Sequence, residues 1–221
     1  MRSVDPVDEE PQRYQGMHAA QRQAMIERHR DSLDYFGYAP QALYWGTSEE
    51  QLARFGMLAG IGIHSGDSLL DVGCGFGDLY CWLRSQDLAV DYTGLDISPE
   101  ILAKGRELNP ALRLVQGELF DFDWAPQSFD WVVLSGTLNW DVGEGSAYAR
   151  RVIRRMFSLC RFGVAFNLLD IRTLDMTGLG EIVAYQPHKV LAFCESISPD
   201  CSLCCDYLED DFTIYIRRVQ P

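Results

Sequence analysis

The sequence has no apolar run approaching the ~18–20 residues that cross a bilayer. Met1 to Gly16 is acidic and proline-bearing, without the apolar stretch of a signal peptide. Basic residues are scarce: Lys plus Arg total 19 against 32 Asp plus Glu, a formal net charge of −13. Such a surface repels phosphate backbones and anionic lipid, so neither nucleic acid nor membrane is an expected partner. The four histidines (His18, His29, His64, His188) are singletons, so no histidine pair offers metal-ligand spacing. The seven cysteines are odd in number and scattered in apolar segments, the pattern of reduced thiols in a cytoplasmic protein. Cys201, Cys204 and Cys205 cluster without further ligands nearby, too few for a tetrahedral zinc, so no metal is expected. Alternation places Cys201, Leu203 and Cys205 on one face of a strand.

What remains is material for a large core. Hydrophobic residues make up 47% of 221 and charged residues 23%, which suits one globular domain with an elaboration. Residues 1–16 offer little to bury and are expected to be a flexible tail. Residues 17–66 are expected to form an N-terminal helical lid. Met17–Phe36 is rich in helix formers. A second helix is expected from Ser48, capped by its hydroxyl with Gln51 as box partner, burying Leu52, Phe55, Leu58 and Ala59.

From residue 67 to 221 short apolar runs alternate with helices. Strands are expected at Ser68–Val72, Tyr92–Leu95, Leu112–Gln116, Phe129–Leu134 and Gly163–Leu168. The helices between them are Asp78–Ser85, one opened by Ser98–Pro99, and Tyr148–Cys160. After a helix at Pro187–Ile197, the runs Ser202–Leu208 and Phe212–Arg218 suit a closing hairpin. The fold class is therefore α/β: a three-layer sandwich with a mostly parallel seven-stranded sheet ending in an antiparallel hairpin, plus N-terminal helices.

The most informative segment is Leu69-Leu70-Asp71-Val72-Gly73-Cys74-Gly75-Phe76-Gly77-Asp78-Leu79. A strand entering three alternate glycines and then a helix brings bare backbone amides and a helix N-terminus against a ligand. One strand later, Thr93-Gly94-Leu95-Asp96-Ile97-Ser98 places a carboxylate where it can accept both hydroxyls of an adenosine ribose. Dinucleotide sites want a glycine where this chain has Asp78, since a carboxylate beside a pyrophosphate is repulsive. Beside a sulfonium and a free ammonium it is acceptable. Asp71, inside the strand, can anchor loop amides or meet an amino group.

These segments resemble the first two motifs of the class I S-adenosylmethionine-dependent methyltransferases. Val115-Gln116-Gly117-Glu118-Leu119 is similar to the family's adenine-reading segment, and Phe129–Leu134 to the strand that ends at the methyl-transfer site. The resemblance implies that Gly73, Gly75 and Gly77 wrap the methionine portion and that Asp96 holds the ribose hydroxyls. It puts Ile97 on the adenine face, Glu118 and Leu119 on the adenine edge, and Ser135 near the methionine amino group. Glu118 stands where aspartate is commoner, which leaves a longer adenine contact or one made by backbone.

Further candidates follow from position. Tyr44-Trp45-Gly46-Thr47 with Arg54 can cover the cofactor, the arginine taking the methionine carboxylate through two contacts. Asn139 and Trp140, past the fourth strand, can orient a nucleophile and wall the cavity. The absence of an Asp/Asn-Pro-Pro-aromatic run after that strand argues against amide or base nitrogen chemistry. His188 is the candidate base. Arg150, Arg151, Arg154 and Arg155 form the wet face of an amphipathic helix. The expected activity is in-line methyl transfer to a small molecule, leaving S-adenosylhomocysteine. Alternatives are a cofactor-binding non-catalytic or protein-directed member of the same fold, or an NAD(P)-dependent oxidoreductase.

Overall fold

A computed structural model describes residues 16–177 and 180–219; the expected tail falls almost wholly outside them. The sheet runs in the order β3-β2-β1-β4-β5-β7-β6, with β1 Ser68–Val72, β2 Asp91–Asp96, β3 Leu114–Gln116, β4 Phe129–Ser135, β5 Cys160–Leu169, β6 Asp200–Cys204 and β7 Asp211–Arg217. The first five strands pair in parallel, and β7 lies antiparallel to both β5 and β6. The expected architecture is therefore present, hairpin included. The hairpin starts two residues earlier than expected, at Asp200.

The period-two rule sorts each strand onto two cores. Leu70, Val72, Val132, Leu134, Val164 and Phe166 face one side, packed against α5 (Ser146–Leu159) and α6 (Pro187–Glu195) through Val152, Met156 and Phe193. Leu69, Trp131, Val133 and Ala165 face the other, against α2 (Ser48–Ala59), α3 (Asp78–Ser85) and α4 (Pro99–Leu108) through Phe55, Leu58, Leu83 and Leu102. Cys201, Leu203 and Cys205 pack together against the first core, as the alternation implied.

Several local expectations need correction. Thr47, not Ser48, caps α2: its hydroxyl accepts the Glu50 N–H at 3.1 Å while Glu50 Oε2 accepts the Thr47 N–H at 3.2 Å. Phe55 and Leu58 are buried as expected, but Leu52 is 46% exposed, and Gln51 and Arg54 complete the inward face instead. The α5 arginines are not simply solvated. Arg150 and Arg154 lie over the ring of Phe193, and Arg155 donates to the carbonyls of Phe122 and Trp124.

The strand order reverses between β1 and β4, and open α/β sheets bind ligands in the crevice outside the strand ends at such a point. Helix α1 (Ala19–Phe36) and the short helix Pro40–Leu43 cross this crevice, α1 packing on α4. No helix among the described residues is long and apolar enough to cross a membrane.

Candidate active site

The crevice is a cavity bounded by the carboxyl ends of β1, β2 and β4 below and by α1 with the 43–46 segment above. At its floor Gly73, Gly75 and Gly77 have φ of +73°, +56° and +85°, a region that disfavours side chains. A Cβ on Gly73 would overlap the Thr137 hydroxyl, and one on Gly77 would stand 2.6 Å from Leu112 Cδ1. The turn is therefore shaped by its neighbours as well as for a ligand. Gly73 and Gly75 line the cavity; Gly77 does not. It caps α3 from the left-handed region.

Asp96 ends β2 and is 6% exposed. Its Oδ2 accepts the Gly75 N–H at 3.0 Å and its Oδ1 the Ser98 N–H at 2.9 Å. A carboxylate offers about four lone-pair positions, so each oxygen keeps one open. Asp71 is buried beneath, accepting the Tyr92 hydroxyl at 2.6 Å. Burial pushes its carboxyl up to about 7, against the Tyr92 hydrogen bond and with help from Asp96 and Asp78. Burial also raises Asp78, opposed by hydrogen bonds from Tyr38 at 2.9 Å and Gln51 at 3.3 Å.

Trp45 and Arg54 both reach the cavity. The guanidinium lies 4.7 Å over the Trp45 ring and is ion-paired with Asp211, at the start of β7. Arg54 Nη1 is buried without a partner, an open donor in a site otherwise furnished with acids. Asn139 lines the cavity with Oδ1 accepting the Leu169 N–H at 3.2 Å. The Ser135 hydroxyl donates to Asn167 Oδ1 at 2.7 Å, and Asn167 Nδ2 to Thr213 at 2.8 Å, so its proton is directed below the floor. Ile97 and Leu119 line the end nearest Asp96. Glu118 is there too, with its carboxylate engaged by the lid.

His188, the base candidate, is exposed on α6 and does not line the cavity. The histidine that does face the cavity is His29 on α1, 6.0 Å from Tyr44 with Nδ1 buried and unpartnered. Burial lowers its pKa despite Asp96, favouring the neutral ring. Sequence reading missed it together with Met17, Met25 and Tyr148. The only available signal was the i, i+4 spacing of Met25 and His29 on one helix face. Tyr44 packs edge-on to Trp140 at 4.8 Å, and Arg28 lies 4.3 Å over that tryptophan, so the N-terminal helices and the loop after β4 interlock.

Among the described residues the charged side chains lining the cavity are Asp71, Asp78, Asp96, Glu118 and Arg54. That set repels a diphosphate and suits a ligand carrying two cationic groups, one carboxylate and a ribose.

The strand order and the crevice at its reversal define a Rossmann-like, doubly wound fold. Residues 69–163 match the family model of the methyltransferase domain. The Mycobacterium tuberculosis protein Rv1506c, named as a methyltransferase, is 29% identical over 160 residues, covering 68% of this chain and 93% of that protein. Magnesium protoporphyrin IX methyltransferase from Synechocystis, solved with bound S-adenosylhomocysteine, superposes with a TM-score of 0.64 at 13% identity over 90% of this chain and 96% of that one. The Burkholderia thailandensis 1,6-didemethyltoxoflavin-N1-methyltransferase gives 0.62 at 15% identity over 91% and 89%. Residues 69–163 are thus similar to a methyltransferase domain, the chain is similar to proteins named as methyltransferases, and it shares the fold of S-adenosylmethionine-dependent methyltransferases.

Proposed function

We propose that the protein methylates a small-molecule acceptor held against the aromatic wall of Tyr44, Trp45 and Trp140 above the end of β4. The observation that carries this reading is the charge layout of the cavity: acids at Asp71, Asp78 and Asp96, an open arginine donor at Arg54, and aromatic walls beyond them. Asp96 offers its open lone pairs to the ribose hydroxyls. Asp71 and Asp78 face the ammonium end, Gly73 and Gly75 let the methionine portion approach the backbone, and Arg54 Nη1 takes its carboxylate. Ile97 and Leu119 flank the adenine. Ser135 stands beside the methionine portion through its oxygen, since its proton points at Asn167. Asn139, with Oδ1 committed to Leu169, leaves its amide N–H to orient the acceptor.

The cofactor supplies a methyl already activated by the sulfonium charge, so the carbon–sulfur bond breaks as the acceptor's lone pair attacks in line. What this chain adds is alignment and exclusion of water under α1. Two structural neighbours are named for small-molecule acceptors, a porphyrin and a toxoflavin precursor, which supports an acceptor of that size. The test is incubation with methyl-tritiated S-adenosylmethionine and a cell extract divided by ultrafiltration. Label in the small-metabolite fraction is expected; label confined to protein would overturn the reading, as would cofactor binding without transfer to either fraction.

A further inference from the structure

Glu118 occupies the position at which the resemblance puts an acid on the adenine amino group. Both oxygens of its carboxylate are engaged by the chain. Oε1 accepts the Tyr148 hydroxyl at 2.7 Å and the Met17 backbone N–H at 2.9 Å; Oε2 accepts the same N–H at 2.9 Å and Arg22 Nη2 at 2.6 Å. Three donors thus occupy both oxygens, the Met17 N–H shared between them, and no more than one of the carboxylate's about four lone-pair positions is left. The side chain is 4% exposed, so water does not substitute. Asp96, by contrast, uses only half its positions.

The surrounding residues are fitted to this contact. Arg22 also donates to both oxygens of Asp121, at 2.7 and 2.6 Å, and Asp121 Oδ2 accepts the Glu118 N–H at 2.9 Å. A Cβ on Gly16 would stand 2.5 Å from Glu118 Oε2 and 2.9 Å from Cδ, so a side chain there would displace the carboxylate from this arrangement.

We infer that Glu118 is the anchor of the N-terminal lid rather than the reader of the adenine amino group. Gly16, Met17, Arg22 and Tyr148 hold α1 over the nucleoside end of the cavity, and no carboxylate selects the purine's six-position. Glu118 and Arg22 are thus positioning residues whose effect appears in how long the ligand stays. The inference rests on a nucleoside cofactor occupying this cavity, and the wild-type titration checks that separately.

The experiment measures association and dissociation of S-adenosylhomocysteine and of its 6-oxo analogue S-inosylhomocysteine. The proteins are wild type, Glu118→Gln, Arg22→Gln and Arg22→Lys. Arg22, 28% exposed, can be replaced without burying anything new. Expected is dissociation faster by about tenfold in Arg22→Gln, the scale of one charge-assisted hydrogen bond, with partial restoration in Arg22→Lys. Glu118→Gln should weaken both ligands by one common factor, leaving their ratio unchanged. If Glu118→Gln instead weakens only the amino-bearing ligand, or if Arg22→Gln dissociates at the wild-type rate, the assignment is wrong. Failure of the wild type to bind S-adenosylhomocysteine would count against the proposed function instead.

Discussion

Replacing Asp96 by alanine removes a carboxylate that serves fold and ligand together, and two assays separate the losses. In the ligand-free protein the Gly75 and Ser98 N–H groups lose their acceptor in a site where Asp96 is 6% exposed. Each stranded donor costs about 1–3 kcal/mol, so unfolding free energy should fall by about 2–6 kcal/mol, less where water enters the space left. On the ligand side, a hydrogen bond to a charged acceptor contributes about 1.5–3 kcal/mol, so losing the ribose contacts should weaken S-adenosylhomocysteine by about ten- to a hundredfold. Titration calorimetry is run below the melting range, with folding checked by circular dichroism. Asp96→Asn is the companion: it keeps one acceptor oxygen but turns an amide N–H toward a backbone N–H, so it should lose comparable stability and less affinity. A variant with a lowered melting temperature and wild-type affinity would refute the ribose assignment, leaving Asp96 as a loop anchor only.

Asp71, pushed to about 7 by burial, predicts a pH-dependent affinity. A cationic ligand favours the ionised carboxylate, so S-adenosylmethionine binding should weaken as pH falls below 7, by at most about tenfold per unit from this group. Proton release should appear as a binding heat that varies with buffer, and Asp71→Asn should abolish both; an unaltered pH slope in that variant would exclude Asp71 as the cause. In the ligand-free protein this raised pKa makes the native state bind more protons than the unfolded chain between about pH 4 and 7, so the group's stabilisation is full at low pH and declines across that window. Asp211→Ala leaves the buried Arg54 charge uncompensated and should cost about 3–5 kcal/mol in urea unfolding; a loss below about 1 kcal/mol would show the pair to be screened. Gly73→Ala places a Cβ on the Thr137 hydroxyl at φ +73°, so cofactor affinity should drop more than in Gly77→Ala, measured by the same titration.

The central strands and the turn were legible because several local signals coincide there. β1 and α3 lie at the expected bounds, Ser68–Val72 and Asp78–Ser85, where an apolar run meets glycines and then a helix start. The α2 cap was ambiguous because Thr47 with Glu50 and Ser48 with Gln51 both spell a capping box; the fold selects the first and leaves Gln51 to reach Asp78. What sequence could not supply was tertiary: Arg54 meets Asp211 across most of the chain, and nothing local distinguishes His29, turned into the cavity, from His188, turned to solvent. Glu118 shows the same limit. Its motif position was visible, but the four contacts that occupy it come from distant segments.

The space between Asp71 and Asp96 takes an adenosyl amino acid, not a diphosphate. Titration calorimetry of the purified protein with S-adenosylhomocysteine and, separately, NADH tests it most directly. One molecule of S-adenosylhomocysteine bound per chain and no heat with NADH is the predicted result. Saturable NADH binding, or none with S-adenosylhomocysteine, would contradict it.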